Sequence, residues 1–88
     1  MADQDWQVYI IRCTDDSLYT GITLDVDRRM AEHGGLRGAK YFRGKRPQAL
    51  VFLECGHSRS SASRREAAIK KLTRSAKLRL IAEAMPPH

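Results

Sequence analysis

The chain predicts an α/β (α+β) domain, a small, mostly antiparallel three-stranded sheet flanked by helices in the order β-β-α-loop-β-α-α. Three observations carry this prediction. Residues 6–13 and 18–22 are rich in aromatic and β-branched side chains, and only the turn-forming Thr14, Asp15, Asp16 and Ser17 separate them. Residues 49–53, Ala-Leu-Val-Phe-Leu, are the most apolar stretch. Residues 58–84 place cap-forming serines and a threonine ahead of apolar positions at helical spacing.

Taken in order, residues 6–13 and 18–22 form a hairpin in which Gly21 marks a bulge or a close approach of the backbone to another group. Thr23 or Asp25 caps the first helix, where Val26, Met30 and His33 share one face with Arg29 on its flank; Gly34 and Gly35 end it. A basic, glycine-punctuated stretch follows, residues 36–47. Residues 49–53 are expected as a buried central strand ending near Gly56. The serines between Ser58 and Ser63 offer several caps for a helix running through Leu72. Thr73 or Ser75 starts a last helix to about Ala84, which Pro86 and Pro87 stop. The whole of 1–88 is expected to be a single domain.

Composition narrows the function. Residues 1–33 hold three basic and seven acidic groups, a net of −4, whereas residues 34–56 carry +4 and residues 57–88 carry +6. A chain of pI about 9.8 with so one-sided a surplus suits a phosphate backbone, although basic surface also serves solubility. No run approaches the roughly 18 apolar residues of a membrane span, so no membrane association is expected. The acidic start does not resemble a signal peptide, and two scattered cysteines make no disulfide framework. A cytoplasmic setting follows.

Phosphodiester hydrolysis needs a proton acceptor for water, a fixed cation for the phosphate and a carboxylate for a divalent metal. Tyr9 and Tyr19 act together only if they share a face of the hairpin; a three- or five-residue connection gives that, and a four-residue one denies it. Arg29 and His33, four apart, stack on one helix surface, where a guanidinium clamps phosphate oxygens. Glu66 edges the inward stripe of its helix, where a carboxylate calls for a partner or a metal. It is alternatively the fourth residue of a capping box led by Ser63, an account that fails if the helix starts at Ser58 or Ser60. Lys40, Tyr41, Arg43, Lys45 and Arg46 offer charge and a stacking ring to a nucleic acid, and Lys70 adds to the basic footprint. Cys13, Cys55 and His57 fall short of a zinc set for want of a fourth ligand.

Gln7-Val8-Tyr9, Tyr19-Thr20-Gly21, residues 25–29 with His33, residues 38–41, Arg65-Glu66-Ala67 and residues 70–73 together resemble the GIY-YIG nuclease family, closest to its small bacterial YhbQ-like branch. The resemblance spans nearly the whole chain. Gln7 stands where the family has glycine and Thr20 where it has isoleucine, and with no asparagine in the chain a downstream asparagine of some homing enzymes has no counterpart. The resemblance implies an endonuclease hydrolysing DNA at branched or flexible structures. In that scheme Glu66 holds Mg²⁺ or Mn²⁺, Tyr9 accepts or relays the proton of the attacking water, and Arg29 offsets phosphate charge. Tyr19 and His33 orient water or phosphate. A non-catalytic nucleic-acid-binding module on the same scaffold is the alternative. DNA is the expected partner, and a separate protein is a candidate source of target specificity.

Overall fold

In a computed structural model, residues 5–34 and 47–84 are described, with side chains over 5–31 and 48–84. Two antiparallel strands, β1 (Trp6–Cys13) and β2 (Leu18–Thr23), lead into α1 (Val26–Gly34); β3 (Pro47–His57), α2 (Arg59–Lys70) and α3 (Arg74–Ala84) follow. The sheet order is β2-β1-β3, antiparallel throughout.

The hairpin closes with a tight local device. The Asp16 N–H donates to the Cys13 carbonyl at 2.9 Å, the Cys13 N–H donates to the Ser17 carbonyl at 2.9 Å, and Asp16 adopts φ 67°. This is a three-residue loop with its last residue left-handed, which aspartate tolerates better than most residues. The Asp15 Oδ1 accepts from both the backbone N–H and the hydroxyl of Ser17, at 3.0 and 2.6 Å. The resulting register sets Tyr9 opposite Gly21 and Ile11 opposite Tyr19, so both tyrosines project from the same face.

The central strand is β1, not the apolar 49–53 segment. An apolar run does not distinguish a middle strand from an edge strand. In β3, Leu50 and Leu53 are 36% and 41% exposed, as befits an edge. β3 also runs longer than its apolar centre, through a register shift opposite Gln7 where Gly56 takes φ 79°.

Side-chain alternation along β1 divides the core. Val8 and Ile10 pack with Phe52, Ala62 and Ile69, joined by Trp6, Leu18, Ile22 and, from α3, Leu80 and Ile81. Tyr9, Ile11 and Cys13 pack with Val26, Tyr19 and Met30 on the α1 side. Full burial of each such aliphatic contributes about 1.5–3 kcal/mol. Of the two proposed caps for α1, Asp25 holds the position: its Oδ1 accepts from the Arg28 N–H at 3.2 Å, and its carbonyl accepts the first helical bond, from Arg29. Thr23 supports it by accepting from the Asp25 N–H at 3.1 Å. Thr73 caps α3, and α2 ends at Lys70, two residues short of the expected Leu72.

Candidate active site

Tyr9 sits mid-strand in β1, 2% exposed, with its phenol lying over the backbone of Gly21 across the hairpin. A Cβ at position 21 would stand 2.5 Å from the Tyr9 hydroxyl oxygen and 2.7 Å from Cζ. The glycine of β2 is therefore a requirement of close approach rather than of turn geometry. Tyr19 lies beside it with ring centroids 6.2 Å apart and planes tilted by 40°.

The charge environment of Tyr9 identifies its neighbours. Burial pushes the phenol well above its ordinary range. Tyr19 adds to the shift through its field and a side-chain hydrogen bond, Glu66 raises it further, and the Arg29 guanidinium alone pulls it down. Residues from β2, α1 and α2 thus act on one hydroxyl of β1. At neutral pH that hydroxyl carries its proton.

Each helix aims its member by simple geometry. In α1, Arg28 is exposed while Arg29 turns partly inward beside buried Val26. In α2 the N-cap is Ser58, whose hydroxyl accepts from the Ser61 N–H while the Ser61 hydroxyl accepts from the Ser58 N–H. The capping box is therefore Ser58/Ser61, the Ser63 box does not form, and Glu66 is mid-helix and half-buried, with Ala62 and Ile69 buried on either side. Its carboxylate meets Lys70 Nζ at 3.2 Å, so Lys70 is engaged at the site's edge as well as being a candidate for phosphate. The backbone of His33 belongs to α1, but its side chain lies outside the described residues, as do Lys40, Tyr41, Arg43, Lys45 and Arg46.

Three features have no local signal in the sequence. Gln7, nineteen residues from α1, accepts from the Val26 N–H through Oε1 at 2.9 Å and ties β1 to the start of that helix. Glu54 binds His57 Nε2 at 2.7 Å and takes two bonds from Arg65, at 3.0 and 3.3 Å. Burial raises the Glu54 carboxyl, but the hydrogen bonds and charges of His57 and Arg65 outweigh it and the net direction is down. The third is a cleft at the β2–α1 junction, lined by Trp6, Thr23, Leu24, Asp25, Arg28 and Arg29.

A zinc set is absent among the described residues. Cys13 is buried in the core, Cys55 is exposed with Gln7 Nε2 3.7 Å from its sulfur, and His57 is committed to Glu54 and Ser61. A single half-buried carboxylate suits a hard divalent cation that keeps most of its ligands as water and substrate oxygens. Glu66 has that character.

Residues 5–79 match the GIY-YIG catalytic domain model. A UPF0213 protein of Haloquadratum walsbyi is 53% identical over 76 residues, covering 86% of this chain and 85% of that one. A UPF0213 protein of Staphylococcus haemolyticus is 49% identical over 76 residues, 86% and 93% of the two chains. The solution NMR structure of a UPF0213 protein from Bacillus halodurans is similar with TM-score 0.60 and 43% identity, over 93% of this chain and 87% of that one. That of a protein from E. faecalis gives TM-score 0.63 at 35% identity, over 100% and 96%. With that match over most of its length and relatives about half identical to it, the chain belongs to the GIY-YIG nuclease superfamily, alongside the small UPF0213 proteins.

Proposed function

We propose that the protein is a metal-dependent endonuclease that hydrolyses DNA phosphodiester bonds, with branched or flexible structures as its preferred targets. One observation carries this reading: Tyr19, Arg29 and Glu66, drawn from three different elements, all act on the Tyr9 hydroxyl. A structural role for any one of them would not require the other two.

Glu66 is assigned to hold Mg²⁺ or Mn²⁺, which when bound supplies Lewis acidity toward the phosphate oxygens. Arg29 balances the negative charge that grows on the phosphate as water attacks phosphorus and the P–O bond to the leaving strand breaks. Tyr9 works as a relay rather than as a standing phenolate, because burial, Tyr19 and Glu66 all oppose its ionisation. It takes the proton of the attacking water as it passes on its own, and Tyr19, hydrogen-bonded to it, is the hydroxyl assigned to help. His33 joins Tyr19 in orienting water or phosphate.

The Glu66–Lys70 ion pair favours a second reading, a nucleic-acid-binding module whose carboxylate serves only to hold a lysine. Nicking of supercoiled plasmid by the wild type, Arg29→Ala and Glu66→Ala, with Mg²⁺, Mn²⁺ and chelator, separates the two. The nuclease reading expects nicking that chelator abolishes and that falls by about 10²-fold or more in each variant. Equal metal-dependent nicking in all three proteins refutes this site. Salt-sensitive DNA binding without nicking in any of them establishes the binding module.

A further inference from the structure

The cleft at the β2–α1 junction encloses about 330 Å³, at the small end of the range for ligand sites. Its chemistry is mixed in a specific way. Trp6 supplies an aromatic wall, and the Arg59 guanidinium sits 5.7 Å from the centre of that ring. Leu24, 54% exposed, leaves a large aliphatic side chain at the rim. Arg28 and Arg29 bring cationic groups, and Asp25 is the acid of the lining, its Oδ1 accepting from the Arg28 N–H. An aromatic wall among arginines matches the combination that binds single-stranded nucleic acid, where a base stacks and its phosphate is held by charge.

The cleft is also joined to the candidate active site through a single side chain. Arg29 lines it and at the same time lowers the Tyr9 phenol through its field. A phosphate held by Arg29 therefore has this cleft as its immediate neighbour. The geometry points to an unpaired nucleobase next to the scissile phosphate as the occupant, resting against Trp6 and Leu24 with Arg28 directed to its backbone. This inference depends on the nuclease reading for the identity of the phosphate, and it names what that site selects: a strand in which the base beside the cut is free to leave its stack. Fully paired DNA keeps that base inside the duplex, so strand opening becomes part of substrate choice.

Trp6 is the sole tryptophan, so intrinsic fluorescence reports on the cleft without any label. The test titrates the protein, in chelator and at low salt, with single-stranded octathymidylate, with an abasic chain of equal length and charge, and with a blunt duplex. Octathymidylate quenches Trp6 and binds about tenfold more tightly than the abasic chain. Trp6→Leu removes that advantage, Trp6→Phe restores most of it, and all three proteins bind the abasic chain alike. Equal affinity for the two single strands in the wild type overturns the inference, as does full octathymidylate affinity in a folded Trp6→Leu protein. Chelator separates the two ideas. Failure of every protein to nick plasmid leaves the base-dependent binding readable, and normal nicking with no base dependence removes only the cleft assignment.

Discussion

The two faces of β1 are built from alternate residues of one strand, yet they are under opposite physical demands. Val8 and Ile10 point into an aliphatic core closed by α2 and α3, where the only requirement is volume. Tyr9, one position away, points into a layer that contains a guanidinium, a carboxylate and a second phenol. The first face tolerates no polarity without cost, and the second has no purpose without it. Strand alternation lets a small domain keep a dry core and a charged site within one residue of each other.

The largest effects should follow from exchanging what the faces are asked to do. Ile10→Ala is expected to destabilise the fold by about 3 kcal/mol in urea denaturation, because a fully buried aliphatic is lost. Tyr9→Phe, on the opposite face, should change stability by less than about 1 kcal/mol while nicking falls by about 10²-fold. It should also abolish the raised Tyr9 ionisation in an alkaline absorbance titration. The raised phenol stabilises the fold fully below the ordinary phenol value near 10, and its contribution fades as pH climbs from there towards the folded value.

Gly21→Ala tests how tightly the charged face is built. Its Cβ would collide with the Tyr9 hydroxyl, so the phenol must move, with a loss of about 1–3 kcal/mol and of nicking together. Unchanged stability and activity would mean that the phenol has room elsewhere. Thr20→Val tests the dry face. Thr20 is 3% exposed and, among the described residues, its hydroxyl is the buried side-chain oxygen with no hydrogen-bond partner. Valine should raise stability by about 1 kcal/mol. Smallest is Glu54→Gln, expected to cost about 0.5 kcal/mol at pH 7 because the pair is a third exposed. The Glu54 carboxyl is held low, so its contribution is present above the unfolded value near 4.3 and lost as pH falls through the folded one. The gap between the two proteins should therefore close in acid.

Much of this was legible in the residues because it is local. Both strands of the hairpin, α1 and α3 follow from period and caps, and Glu66 lies at the margin of a buried stripe as its spacing from Ala62 and Ile69 implies. What stayed open depended on choices made elsewhere in space. Co-facing of the tyrosines turned on whether Asp16 would take a positive φ, a single backbone angle that shifts the pairing of every residue in β2. The role of Glu66 turned on which of several serines caps α2. The edge position of β3 and the long reach of Gln7 to α1 are contacts between distant segments, and the Glu54 network, though only three and eleven residues wide, bridges a strand and a helix whose relative placement no local pattern sets.

The bond between Glu54 and Arg65 has a consequence for alignment. Only Ala62 and Ile69 of α2 are fully buried, a narrow keel that leaves the helix weakly held against rolling about its long axis. Arg65 immediately precedes Glu66, and tethering its guanidinium to the far edge strand works as an outrigger that sets the roll angle. The roll of α2, and with it the bearing of Glu66, is thus steered from the edge strand that lies across β1 from Tyr19.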